Sequence, residues 1–146
     1  MAKRYCVREE FNIGERANIA KEVSEDDIVS LARITGDYNP LHVDPEFANK
    51  SRFKARIAHG ILGAGLISAV LGTKLPGPGS IYLSQNLKFV RPILIGDMLT
   101  AEVEVTDWNP AKRIIRLNTR CFNQEGEDSM TGDAVLLVES PKAWDV

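Results

Sequence analysis

The chain has 146 residues, 44% of them hydrophobic and 26% charged, which fits a single globular domain over 1–146 built on one core. Eighteen basic residues against 20 acidic ones leave a net charge of −2, which excludes the basic field that holds nucleic acid. No run approaches the ~18 apolar residues of a membrane span, so no membrane partner is expected.

Arg16 to Val23 reads as a first strand. Ser24-Glu25-Asp26-Asp27 then starts a helix: Ser24 can cap backbone amides, and the acids suit the positive end of the helix dipole. Ile28, Leu31 and Ala32 follow at helical spacing, and Gly36 should end the segment. Asp44-Pro45 starts another short helix, with Asp44 as cap. From His59 to Leu71 only Ser68 is polar after the histidine, and a helix apolar on all sides is expected to be buried. Gly72 is a plausible stop, and Leu75-Pro76-Gly77-Pro78-Gly79 is a rigid loop.

Beyond the loop the period changes to two. Ile81, Leu83, Leu87 and Phe89 alternate with polar residues, as do Ala101, Val103 and Val105, and then Ile115, Leu117 and Cys121. Val135 to Val138 is a continuous apolar run, the pattern of a strand covered on both faces. Turns are expected around Asn109-Pro110 and Gly126. Four long antiparallel strands after one buried helix predict an α+β architecture, a sheet curled around that helix. Such a sheet leaves edges, and a second copy would cover one of them, so a homodimer is expected. Cys6 and Cys121 have no metal-ligand spacing and read as free thiols in a reducing compartment. The N-terminus through Tyr5 has no apolar leader core, so a cytoplasmic protein is expected.

Only two histidines occur, His42 and His59. Asp37 lies close before His42 in Gly36-Asp37-Tyr38-Asn39-Pro40-Leu41-His42. Pro40 fixes its own φ and pushes Asn39 toward extended backbone, so carboxylate and imidazole are placed by a restrained turn that can grip a water between them. Such a pair is the minimum equipment for moving protons at neutral pH. The plainer alternative is a turn-stabilising aspartate and a hydrogen-bonded loop histidine. His59-Gly60 opens the apolar helix, where the Gly60 amide can meet an anion or a polarised carbonyl directly; simple capping or packing by His59 is the alternative. Arg52, Lys54 and Arg56 lie between the two histidine segments and read either as a solvated loop or as a cationic mouth for a phosphate-bearing substrate such as a coenzyme A ester. Tyr82, Phe89 and Trp108 read as core or hairpin-packing residues. No metal cluster, flavin motif or nicotinamide motif is visible, so no cofactor and no metal is expected.

These segments resemble the hydratase-2 signature of the MaoC-like (R)-specific enoyl-CoA hydratases. The resemblance starts at Gly36–His42 with Ala48 beyond it, and continues through Ile57-Ala58-His59-Gly60, Leu75–Tyr82 and Gly96-Asp97. It implies a hot-dog fold, a sheet wrapped around a central helix, acting as a dimer. It implies reversible hydration of trans-2-enoyl-CoA to (R)-3-hydroxyacyl-CoA, with acyl-CoA as the partner molecule. Asp37 and His42 carry over as the pair that binds and activates water, and Gly60 as the amide that polarises the thioester carbonyl. Asn39 is expected to hold the turn beside the substrate, and His59, Gly65, Arg52, Lys54 and Arg56 to contribute to substrate binding. Gly65 stands where relatives often carry a serine, which implies a roomier acyl pocket. Dehydration of 3-hydroxyacyl groups on acyl carrier protein, and acyl-CoA binding without turnover, are the alternatives that the same residues leave open.

Overall fold

A computed structural model describes residues 5–144 of the chain. The first strand, β1 (Arg16–Glu22), leads through Val23 into α1 (Glu25–Thr35). Ser24 caps α1 by accepting from the Asp27 amide, and the Asp27 carboxylate accepts from the Ser24 amide in return. Gly36 closes the helix at φ 78°, a left-handed conformation that glycine adopts without strain. Two short helices follow, α2 (Pro40–Val43) and α3 (Pro45–Lys50), each with proline in its first turn. A turn is expected where α2 forms; Asn39 starts the helix, its side chain accepting from the Leu41 amide.

The apolar helix is α4 (Gly60–Thr73), with His59 at its N-cap position. It runs through Gly72, the expected stop, and ends at Thr73. Then come β2 (Ser80–Phe89), β3 (Met98–Asn109), β4 (Ile114–Phe122) and β5 (Asp128–Val138). With β1 they form a five-stranded antiparallel sheet in the order β1-β3-β4-β5-β2. The sheet packs against α4: Gly63, Ile67, Val70 and Leu71 turn inward to meet Leu99, Ala101, Val103, Leu117, Cys121 and Met130. This is the hot-dog arrangement, a helix held in a curled antiparallel sheet.

Three further expectations need correction. First, α4 is not buried all round, because one chain covers only one of its faces; Ile61 is 53% exposed, and Gly65 and Ser68 lie on the same open side. Second, β2 does not bury its alternating apolar set. It is an edge strand, and Ile81, Leu83 and Phe89 are exposed. Third, Val135 and Leu137 on β5 are half-buried rather than enclosed, since only the face carrying Ala134, Leu136 and Val138 meets the core. Among the described residues, Cys6 is exposed and Cys121 buried, both as free thiols, and no helix is long and apolar enough to cross a membrane.

Candidate active site

The turn between α1 and α2 is built by side chains that accept from the main chain. Thr35 Oγ1 accepts from the Asp37 amide, Asp37 Oδ1 from the Asn39 amide, and Asn39 Oδ1 from the Leu41 amide. Each bond fixes the next residue, and α2 then delivers His42. That histidine is 9% exposed, and its Nδ1 lies 2.8 Å from the Ile57 carbonyl oxygen. A carbonyl only accepts, so Nδ1 carries the proton and Nε2 is the nitrogen able to take one.

His59 sits deeper, at 2% exposure. Its Nε2 donates to the Asp37 carbonyl oxygen at 2.9 Å, and its ring lies against that of His42 with centroids 3.9 Å apart. His59 Nδ1 has no hydrogen-bond partner among the described residues. One donor atom from each of Asp37, His42 and His59 falls within 4.8 Å of the other two. That is close enough for a single water to bridge a carboxylate and an imidazole. A carboxylate with two imidazoles is also a donor set that a metal ion could use.

His42 opens onto a groove of about 520 Å³. Ile57, Ala58, Gly60, Phe89 and Ser129 line it near the histidine, and Arg52 and Arg91 lie among its other walls. Gly60 meets the Phe89 ring so closely that a Cβ built there would fall 2.7 Å from two ring carbons. The absence of a side chain is therefore what lets the Phe89 ring lie against the start of α4. Ile57 and Ala58 are held by main-chain bonds to Leu41 and Ile93, which ties the two histidine segments together.

His42, Gly60 and Arg52 thus share one groove wall, and Asp37 stands beside His42. His59 belongs to the same cluster, whereas Asn39, Lys54, Arg56 and Gly65 lie outside the groove wall. Asn39 is the cap of α2, and His59 stands behind the site as a support. Arg56 is not at the mouth: its Nε donates to the His42 carbonyl oxygen and its guanidinium pairs with Glu25 at 2.8 Å. Lys54 and Arg56 line a different depression, with Pro45, Glu46 and Leu94. Gly65 lies on the open face of α4, where a Cβ would meet nothing within 4 Å, so it does not widen this groove.

Comparison with known proteins gives these features a context. The MaoC like domain model matches residues 11–125. The chain belongs to the MaoC-like family. Over 130 residues it is 47% identical to an (R)-specific enoyl-CoA hydratase of Rhodospirillum rubrum, covering 89% of this chain and 90% of that one. It is 46% identical over 134 residues to a 3-hydroxybutyryl-CoA dehydratase of Methylorubrum extorquens, covering 92% and 83%. The solved structure of unliganded R-hydratase PhaJ1 from Pseudomonas aeruginosa superposes with a TM-score of 0.87 at 41% identity, over 92% of this chain and 87% of that one.

Two groove residues of this MaoC-like domain escape sequence reasoning. Phe89 belongs to the alternating apolar set of β2 and carries no mark that it leaves the core to cover Gly60. Ser129 lies before the apolar run that marks the last strand and draws no reading from the sequence, yet it is 1% exposed and lines the groove. A bulge turns it inward, and nothing local in the sequence announces that bulge.

Proposed function

We propose that this MaoC-like domain, spanning 1–146, is an (R)-specific enoyl-CoA hydratase working in the cytoplasm, and that Asp37, His42 and Gly60 perform the reaction. The observation that supports this reading is His42, which has Asp37 beside it and shares a groove wall with Gly60 at the start of α4. A trans-2-enoyl-CoA lies with its thioester carbonyl oxygen toward the Gly60 amide. Asp37 and His42 hold one water between them. The pair takes a proton from that water as its oxygen bonds to C3. The C2=C3 electrons move toward the thioester, giving an enolate whose charge the Gly60 amide and the start of α4 stabilise. Return of a proton to C2 restores the thioester, so the sum is one water added and nothing oxidised or reduced. No cofactor or metal enters this scheme. Arg52 supplies positive charge for the phosphates of the coenzyme.

The assembly we propose is a homodimer through the open side of β2 and α4. Ile81, Tyr82 and Leu83 are 40–53% exposed on an edge strand, and Ile61 at 53% continues the apolar surface. An uncovered apolar edge invites pairing with a second copy. Sedimentation should give twice the chain mass, and Leu83→Lys should shift the protein to monomer; a wild-type monomer at micromolar concentration would refute the assembly.

The activity is tested with crotonyl-CoA, following loss of the enoyl-thioester absorbance and resolving the product by chirality. Turnover to the (R) product is expected, with Asp37→Asn and His42→Ala each lowering kcat by about 10²–10⁴-fold. Retained activity in both variants, or an (S) product, would defeat the reading.

A further inference from the structure

We infer that the Ser129 hydroxyl is a second hydrogen-bond donor to the substrate's thioester carbonyl oxygen, acting beside the Gly60 amide. The inference rests on the hydratase reading of the groove. It starts from the strand register. Cys121 of β4 pairs with Met130 of β5, but the next residue, Phe122, pairs with Asp128. Ser129 is the extra residue, a β-bulge. In a regular strand Ser129 and Met130 would face opposite sides. Here both are buried, Met130 in the core at 0% and Ser129 at 1%. Bulges re-aim a side chain in this way, and they concentrate near active sites.

The backbone at the bulge is pinned. The Ser129 carbonyl oxygen accepts from the amides of Val90 at 3.0 Å and Arg91 at 3.3 Å. These bonds lock Ser129 to the end of β2, directly beyond Phe89, whose ring lies on Gly60. Ser129, Phe89 and Gly60 therefore form one continuous stretch of the groove wall, on which His42 also opens.

The hydroxyl itself has no partner among the described residues. Burying a hydroxyl unpaired costs stability, and an alanine would avoid that cost. The arrangement makes sense when the partner is a ligand that brings an acceptor into the groove. The carbonyl oxygen of the thioester is such an acceptor, and it gains negative charge as water adds at C3. A donor fixed by a pinned backbone before the substrate arrives favours that charged state over the ground state.

The test compares wild-type protein with Ser129→Ala in three measurements. Crotonyl-CoA hydration should lose about 10²-fold in kcat with KM nearly unchanged. The melting temperature should stay the same or rise, because the variant removes an unpaired buried hydroxyl. Acetoacetyl-CoA serves as a non-hydratable probe whose enolate absorbs in the near ultraviolet. Wild-type protein should raise its enolate fraction at a fixed pH, and Ser129→Ala should lose most of that rise. An unchanged kcat, an effect confined to KM, or a kcat loss that follows a falling melting temperature would overturn the inference. If wild-type protein hydrates no enoyl-CoA, the hydratase reading fails. The enolate measurement still decides Ser129, and equal enolate fractions in the two proteins would refute it.

Discussion

His59 donates from Nε2 to the main-chain carbonyl of Asp37, 22 positions earlier, at 2.9 Å. The segment bearing the carboxylate is thus held from behind by a buried ring that also packs on His42. The proposed hydratase gives His59 a positioning role. His59→Phe keeps the ring packing but removes the donor. It should lower kcat by about 10²-fold, the scale of a small misplacement of reacting groups, with little change in KM. His59→Gln restores a donor and should recover part of the loss. Steady-state kinetics on both variants checks this; equal kcat values for wild type and His59→Phe would remove the role.

Arg52 and Arg56 should behave differently although they stand four residues apart. Arg56 bonds to the His42 carbonyl and to Glu25, with only 13% of its side chain exposed. Arg56→Ala should cost about 1–3 kcal/mol of stability, as expected for lost charge-assisted bonds. Arg52 is exposed in the groove wall, so Arg52→Ala should raise KM for the coenzyme A ester several-fold and leave the melting temperature alone. Added salt should shrink the Arg52 effect through screening. Thermal melts and KM values at two ionic strengths separate the two residues.

Gly60→Ala puts a methyl against the Phe89 ring at 2.7 Å. The ring is 57% exposed and can swing away, so the fold should survive. The amide will then be screened from the ligand, and kcat/KM should fall by about 10²-fold, the scale of a lost oxyanion donor. Pairing Gly60→Ala with Phe89→Ala should not rescue activity, since the methyl itself blocks the approach. Rescue in the double variant would point to ring displacement as the cause.

Acid should remove stability held at Asp27 and Glu15. Burial pushes the Asp27 carboxyl up, but hydrogen bonds from Ser24 and the Lys21 ammonium, 2.9 Å away, outweigh it and leave the pKa lowered. Glu15 is also held low, chiefly by its hydrogen bond from Arg8. A lowered folded-state pKa means stability that is fully present above the ordinary carboxylate range and is lost as pH falls through the folded value. Melting temperature should therefore fall as pH drops below the ordinary carboxylate range, and Asp27→Asn should flatten part of that limb. Ser24→Ala should cost about 1 kcal/mol at neutral pH by removing the cap. A limb unchanged in Asp27→Asn would contradict this assignment.

Much of this fold is legible in the sequence because its signals are local. The Ser24–Asp27 box, the Gly36 stop, the Asp44 cap and the alternation of β3 and β4 act within a few residues, and the structure follows them. The readings of α4 and β2 fail for a different reason. Apolar character says that a surface will be covered without saying by what, and one chain leaves Ile61 and Leu83 open. Within the site, Asp37, His42 and Gly60 stand out because proline, histidine and glycine leave sharp marks. Arg56 misleads because charge alone does not reveal that Glu25, 31 positions away, takes it up. Ser129 is invisible because its direction depends on a register shift between strands, a property of the pairing and not of the residue.

The contact between His42 Nδ1 and the Ile57 carbonyl has one more consequence. The anchor uses the proton that the ring always keeps, so charging the opposite nitrogen strengthens the contact and does not break it. The imidazole can gain a proton and give it up without swivelling, and each cycle returns the ring to its starting place. Whatever proton the ring exchanges at Nε2, its orientation is set from the opposite side.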